Sequence, residues 1–472
     1  MSAFSAAVAS APPLKTRRVP AAGRYADAGR FMALTPPEFL APLLQHPVAI
    51  FGGGVSGAAV RELFGLLGVR AVVFDEQPGL GAAQAFTASD AAHYRLVVFS
   101  PGFVPDHAWL EAARAAGSLC LGELDLAALF WRGRLVAVTG TNGKTTLTEF
   151  LTHALTAAGV DAYAVGNVGF PFSRLLTFKL DAAVDATAVC EVSSFQAETL
   201  RYFAPDATLW TNFAEDHLER HPDLAAYFTA KWNLVERTPP GAMFAGTSVQ
   251  AHARAFGRTL PPAAAVASEG AASDPRLEGT VFERYPQREN FLLAQAWWRH
   301  AGRPESELYD AARTFALGRH RMTRIGEFHG VSFWNDSKAT NFHAVEAALA
   351  AFTGPVHLIA GGKAKGGDLA AFVARIAPRT KHAWLIGDTR TVLAACCEAN
   401  HIPHTVCATL DEAVRGAYGA AHPGDHILLS PAFASFDMFR SYAERGNQFE
   451  QLVSRLGEGN HFSVANPPAN NP

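Results

Sequence analysis

Short apolar runs recur along the chain, and each stops at glycine or another small or polar residue before a stretch of helical character. Pro47 to Phe51, Ala71 to Phe74 and Leu96 to Phe99 form a first group. Leu135 to Val138, Ala188 to Glu191 and Ala207 to Asn212 form a second, and Val356 to Ala360, Ala383 to Ile386 and His426 to Leu429 a third. Short apolar runs between turn signals read as buried strands, and strands alternating with helices build parallel sheets. The pattern predicts an α/β protein of three units, 47–132, 133–316 and 317–456, with mainly parallel sheets. Residues 239–280 are rich in Ala, Pro and Gly and carry little signal, and no short-period repeat is visible.

A length of 472 residues suits that count, at roughly one domain per 150 residues. A net charge of −3 speaks against a nucleic-acid-coating or membrane-surface protein, so the expected partners are small molecules met by local positive groups. No uncharged apolar run reaches about 18 residues, so no membrane insertion is predicted. The five cysteines, Cys120, Cys190, Cys396, Cys397 and Cys407, lack metal or disulfide spacing and suit a reducing cytoplasm, with buried thiols. A monomer is expected. Residues 1–46 read as an extension, disordered at its start, with five basic residues (Lys15, Arg17, Arg18, Arg24, Arg30) against the single acid Asp27 in its first 31 residues. Met32 is an alternative start, and 457–472 reads as a disordered tail.

Glycine turns after the first strand of each of the first two groups carry the chemistry. Gly140-Thr-Asn-Gly143-Lys144-Thr145-Thr146 follows the strand from Leu135 and opens a helix. Glycines let backbone N–H groups approach phosphate oxygens, the helix N-terminus favours negative charge, and Lys144 adds a point charge. Gly140, Thr141, Asn142, Gly143, Lys144, Thr145 and Thr146 are therefore expected to cradle ATP, with Thr145 on its magnesium. The central unit reads as a P-loop ATPase. In the first unit Gly54, Ser56 and Gly57 open a helix after the first strand, and Asp75 ends the second. That is a Rossmann-like βαβ start, with a helix N-terminus for a diphosphate and an acid for a ribose or base. Ser100 and Gly102 place small residues at the end of the third strand.

Further candidates sit at strand ends of the central unit. Glu191 can reach the same magnesium, and Ser193 and Gln196 follow it. Asn212-Phe-Ala-Glu215-Asp216-His217 brings two carboxylates and an imidazole, Lys231 follows on a helix, and Asn167 lies in another turn. Oxygen ligands and one histidine near a triphosphate suit magnesium better than zinc.

Together these motifs resemble the Mur ligases, ATP-dependent amino-acid ligases of peptidoglycan synthesis. The third unit adds Gly318-Arg-His-Arg321-Met322, Asn335-Asp336-Ser-Lys338-Ala-Thr340-Asn341, Gly361-Gly-Lys-Ala-Lys365-Gly-Gly367 and Ser430-Pro-Ala-Phe-Ala-Ser435-Phe-Asp437, followed by Arg445-Gly-Asn-Gln-Phe449. The resemblance spans about residues 47–455 and implies a Rossmann-like C-terminal domain. It implies Lys144, His217 and Lys231 as catalytic, with Lys231 carbamylated. Two Mg2+ ions are implied, one on Thr145 and Glu191 and one on His217 and the carbamate. Asn290, Arg321 and Asp336 would complete the ATP site. Gly54, Ser56, Gly57, Asp75, Ser100, Gly102, Asn167, Ser193 and Gln196 would hold a UDP-sugar. Lys338, Thr340, Lys365, Ser435 and Tyr442 would hold the incoming amino acid.

The implied reaction adds glutamate to UDP-N-acetylmuramoyl-L-alanine (UDP-MurNAc-L-Ala) through an acyl phosphate. Four departures from the family pattern bear on detail. Glu289-Asn290-Phe-Leu-Leu293 keeps only the first asparagine of the adenine segment. Tyr442 stands where phenylalanine is usual, and Phe433 where a small residue is. Asp75-Glu76-Gln77 lacks the usual threonine-arginine. D-glutamate is the expected amino acid, and L-glutamate remains open.

Overall fold

The computed structural model describes residues 34–78, 82–179, 184–261 and 273–458. The start of the extension, Met32 and residues 459–472 lie outside these. Three sheets are present, one per predicted unit.

In the first unit, β1 (Val48–Phe51) leads through a glycine turn into α1 (Val55–Leu66), followed by β2 (Ala71–Phe74), β3 (Leu96–Phe99) and β4 (Leu119–Gly122). Every pair in the order β2-β1-β3-β4 is parallel. Gly57 is demanded by packing: a Cβ there would stand 1.8 Å from the carbonyl oxygen of Gly52. A further helix, α2 (Glu123–Phe130), leads to the central unit.

The central sheet is β6-β7-β5-β8-β9, again wholly parallel. In chain order β5 (Arg134–Thr139), α3 (Lys144–Ala157), β6 (Ala162–Gly166), α4 (Phe172–Phe178), β7 (Thr187–Glu191), β8 (Ala207–Trp210), α5 (Leu224–Arg237), β9 (Met243–Ala245) and α6 (Gln287–His300) build it. The chain crosses from one side of β5 to the other between β7 and β8, so the carboxyl end of β5 is a switch point where α/β sheets bind ligands. The segment of weak signal contains β9.

The third sheet runs β10-β11-β15-β12-β13-β14. β10 (Thr323–Phe328) and β11 (Val331–Asn335) are antiparallel, an edge ribbon the apolar runs did not predict. After α7 (Phe342–Ala350) come β12 (Val356–Gly361), β13 (Thr380–Ile386), β14 (His404–Val406) and β15 (His426–Leu429), all parallel, and the long α8 (Tyr442–Glu458).

The first two units are not separate bodies. One apolar core runs through both, joining Ile50, Leu63 and Leu121 to Leu124, Phe130, Phe172, Leu175 and Phe203. Leu40, inside the predicted extension, is fully buried in it. α2 adds a polar latch. Asp125, fully buried, accepts the backbone N–H groups of Arg201, Tyr202 and Phe203 at 2.8–3.0 Å. Glu123 accepts the N–H of Ser173 at 2.6 Å. Among the described residues no helix is long and apolar enough to cross a membrane. All five cysteines are free, and four are buried.

Candidate active site

The loop between β5 and α3 can be built only with glycine at two places. Gly140 has φ 146°, and a Cβ on it would lie 1.9 Å from Thr211 Oγ1. Gly143 has φ 80°, and its Cβ would lie 2.7 Å from Asn290 Oδ1. The loop is thus wedged between the end of β8 and α6. Lys144 Nζ donates to the carbonyls of Gly140 (3.0 Å) and Thr141 (2.8 Å). Burial pushes its pKa down, while Glu191 and Asp216 favour the cation.

Parallel pairing sets Glu191 beside Val138, at the end of the strand next to the loop. Its Oε1 accepts from Asn167 Nδ2 at 2.7 Å, and its Oε2 is buried with no hydrogen-bond partner. A buried carboxylate oxygen without a partner is costly unless a cation completes it. Thr145, in the first turn of α3, lines the same cleft. A hard oxygen pair beside a phosphate cradle fits magnesium.

Lys231, on α5, is 1% exposed and reaches the loop from behind, donating to the carbonyl of Gly140 at 2.9 Å and to Thr139 Oγ1 at 3.3 Å. Burial, then the charge of Lys144, hold its pKa well below that of an ordinary amine. His217 sits at φ 57°, its Nε2 3.7 Å from Asp216 Oδ2 and its Nδ1 3.2 Å from Glu219. Burial opposes ionisation of Asp216, but His217, Lys365, Asn341 and Lys144 together outweigh it and lower its pKa.

The third unit closes the cleft, whose volume is about 390 Å³. Lys338 Nζ lies 3.9 Å above the Tyr442 ring, and burial, then Arg321, push its pKa down to about 8. Thr340, Lys365, Ser435 and Arg321 line the same space. Residues 141–146 of the phosphate loop, the metal candidates Thr145, Glu191 and His217, and the amino-acid candidates therefore face one cavity, whereas Lys231 lies behind the loop and is not among the lining residues.

Two family models match the chain: Mur ligase middle domain over residues 138–291, and Mur ligase, glutamate ligase domain, over 320–433. The UDP-N-acetylmuramoylalanine--D-glutamate ligase of Solibacter usitatus is 36% identical, over 81% of this chain and 90% of its own. That of Gloeobacter violaceus is 34% identical, over 87% and 99%. The chain belongs to the Mur ligase family. The fold agrees: the MurC structure from Thermotoga maritima superposes with TM-score 0.55 at 15% identity, covering 88% of this chain and all of that one.

Other predicted residues of this Mur ligase lie elsewhere or are differently engaged. The cleft walls come from the central and third units. Gly54, Ser56, Gly57, Asp75, Ser100 and Gly102 gather instead at the strand ends of the first sheet. Asp75 accepts from the N–H groups of Gly53 (2.6 Å) and Gln77 (2.9 Å), so its carboxylate also holds the glycine turn. The Ser100 hydroxyl is buried without a partner. Ser193 and Gln196 form a reciprocal capping box on the short helix after β7. Asn290 donates to Gln287 at 2.9 Å while packing on Gly143.

Asp336, expected on the nucleotide, lines the cleft, and its oxygens take the N–H of Met322 (3.1 Å) and the hydroxyl of Ser430 (2.8 Å). Met322 has φ 46°, so Asp336 stabilises the strained turn that presents Arg321. Burial raises its pKa to about 7. Phe433 stacks edge-on against Phe342 in the third core, which absorbs its extra bulk.

The sequence reading left several residues of the Mur ligase site without a role. Asn341 and His343 reach across to Asn142. Arg445, 1% exposed, ties the carbonyl of Ser337 (2.9 Å) to that of Phe433 (3.2 Å) and so clamps the two loops that carry them together. Asn341 and Arg445 lay inside quoted motifs, but nothing local marked their partners.

Proposed function

We propose that this Mur ligase adds D-glutamate to UDP-MurNAc-L-Ala in the cytoplasm, with ATP cleaved to ADP and phosphate. The supporting observation is the single cleft in which a phosphate loop, a partnerless Glu191 oxygen and the cations Lys338 and Lys365 converge.

A carboxylate resists attack by an amine because its oxygen leaves poorly. The terminal carboxylate of the UDP-sugar attacks the γ-phosphorus of ATP, and ADP leaves. The loop amides and Lys144 hold the phosphates in line for that transfer. The amine of glutamate, having lost its proton, then attacks the acyl carbon and phosphate departs. Lys338, Thr340, Lys365 and Ser435 fix the carboxylates of glutamate, since charge-assisted hydrogen bonds define its orientation. The third unit, docked over the cleft, excludes water from the acyl phosphate. Thr145 and Glu191 would hold one magnesium ion and His217 with carbamylated Lys231 a second, and the metal would supply positive charge against the moving phosphoryl group. The low basicity of Lys231 supports carbamylation: a neutral amine forms the N–C bond to carbon dioxide and releases one proton.

The test is phosphate release from ATP with UDP-MurNAc-L-Ala, comparing the two glutamate enantiomers. Release with D-glutamate alone is expected. Release with L-glutamate alone moves the substrate and keeps the mechanism, and silence with both rejects the ligase reading.

A further inference from the structure

Lys338 and Thr340 are followed at once by Asn341, whose amide is fully engaged. Its Nδ2 donates to Asn142 Oδ1 and to Asp216 Oδ2, both at 2.9 Å. Its Oδ1 accepts from Asn142 Nδ2 at 3.2 Å and from the N–H of Ala344 at 2.9 Å, which caps α7. Asn341 is 8% exposed.

The partner on the phosphate loop is itself fixed. The N–H of Asn142 donates to Asn212 Oδ1 at 2.9 Å, and its carbonyl accepts from Thr211 Oγ1 at 2.5 Å. Its side chain also meets His343 Nδ1 at 3.1 Å. Two amides that exchange both hydrogen bonds are satisfied at one separation and one orientation only. Shifting the third unit would leave polar groups of both asparagines and of Asp216 unpaired, which opposes the shift.

We infer that Asn341 is a positioning residue: its amide pair with Asn142 and its bond to Asp216 dock the amino-acid loop onto the phosphate loop at the spacing that amine attack requires. The inference rests on the ligase reading above. Asn341 acts through Asn142 and Asp216. Loss of the pair should loosen docking, slow amide formation and let water reach the acyl phosphate. Binding of the UDP-sugar should be spared, because the first two units share one core.

Asn341→Ser tests this. Serine keeps a side-chain oxygen to cap α7 but is too short to span to Asn142 and Asp216. Amide formation should fall about 10- to 100-fold, since small misplacements cost that much. ADP formed per amide should rise above one, and KM for the UDP-sugar should stay within about twofold. The Asn142→Ala, Asn341→Ser double variant should be little worse than the worse single variant. Hydrogen exchange at residues 338–350 supplies a readout that needs no turnover: a non-hydrolysable ATP analogue alone should protect this segment in the wild type and not in Asn341→Ser. A serine variant with wild-type rate and unit stoichiometry, or with undiminished protection, overturns the inference. An inactive wild type that still shows the difference in protection sinks only the ligase reading.

Discussion

Asn167 donates to Glu191 Oε1 at 2.7 Å, which orients the carboxylate and leaves Oε2 buried with no partner. The pairing uses the end of β7 and the turn after β6, strands that lie side by side. The free oxygen marks a candidate cation site, because a buried carboxylate oxygen without a partner is costly.

Glu191→Gln removes the charge and keeps the shape. Turnover should fall at least about 100-fold, and half-maximal activity should need more magnesium. The stability of the ligand-free protein should hold or rise, because the buried negative charge is gone. A magnesium titration of activity beside a thermal melt checks both, and an unchanged magnesium requirement would contradict the metal role.

Lys231→Ala should be nearly inactive and should regain measurable turnover with added short-chain carboxylic acids that can stand in for the carbamate. Full activity without the acid would remove Lys231 from the reaction.

Asp125→Ala tests the latch between the first two units. It strands the N–H groups of Arg201, Tyr202 and Phe203 in a buried site. The expected loss is about 3–5 kcal/mol, read from urea unfolding. Asp125→Asn should lose less, since its amide oxygen can still accept.

Asp336 makes stability depend on pH. Its pKa is raised from 3.8 to about 7 by burial, so the folded state holds a proton that the unfolded chain has released. The stability this contributes is complete below the unfolded value and is lost as pH rises through about 7. Asp336→Asn carries no such charge. Between about pH 5 and pH 8 its stability should gain on the wild type by roughly 2–3 kcal/mol, measured by denaturant melts at both ends. A difference that is flat with pH would show that Asp336 stays ionised throughout.

Much of the fold was legible because its signals are local. A run such as Val356 to Ala360 is buried on both faces of a parallel sheet, so it stays apolar along its whole length. The phosphate loop was legible for the same reason, its glycines, lysine and hydroxyls being contiguous. The strands that escaped notice mostly lie at sheet edges. β10 is largely half-exposed or exposed, and β14 has no buried residue. Solvent-facing positions dilute the apolar run, and the bulge between Arg324 and Gly326 breaks the alternation.

Sequence by itself determined the three α/β units, the phosphate cradle and the residue types that chemistry at a triphosphate requires, since those depend on neighbours a few positions away. Tertiary structure alone decided that the first two units share a core, and that Asp125 latches backbone 76–78 residues distant. It also decided that Asp336 supports a turn and that Asn341 meets Asn142 across 199 residues. Such contacts follow from how buried polar groups find partners once sheets and helices have packed, and no local pattern along the chain encodes that choice.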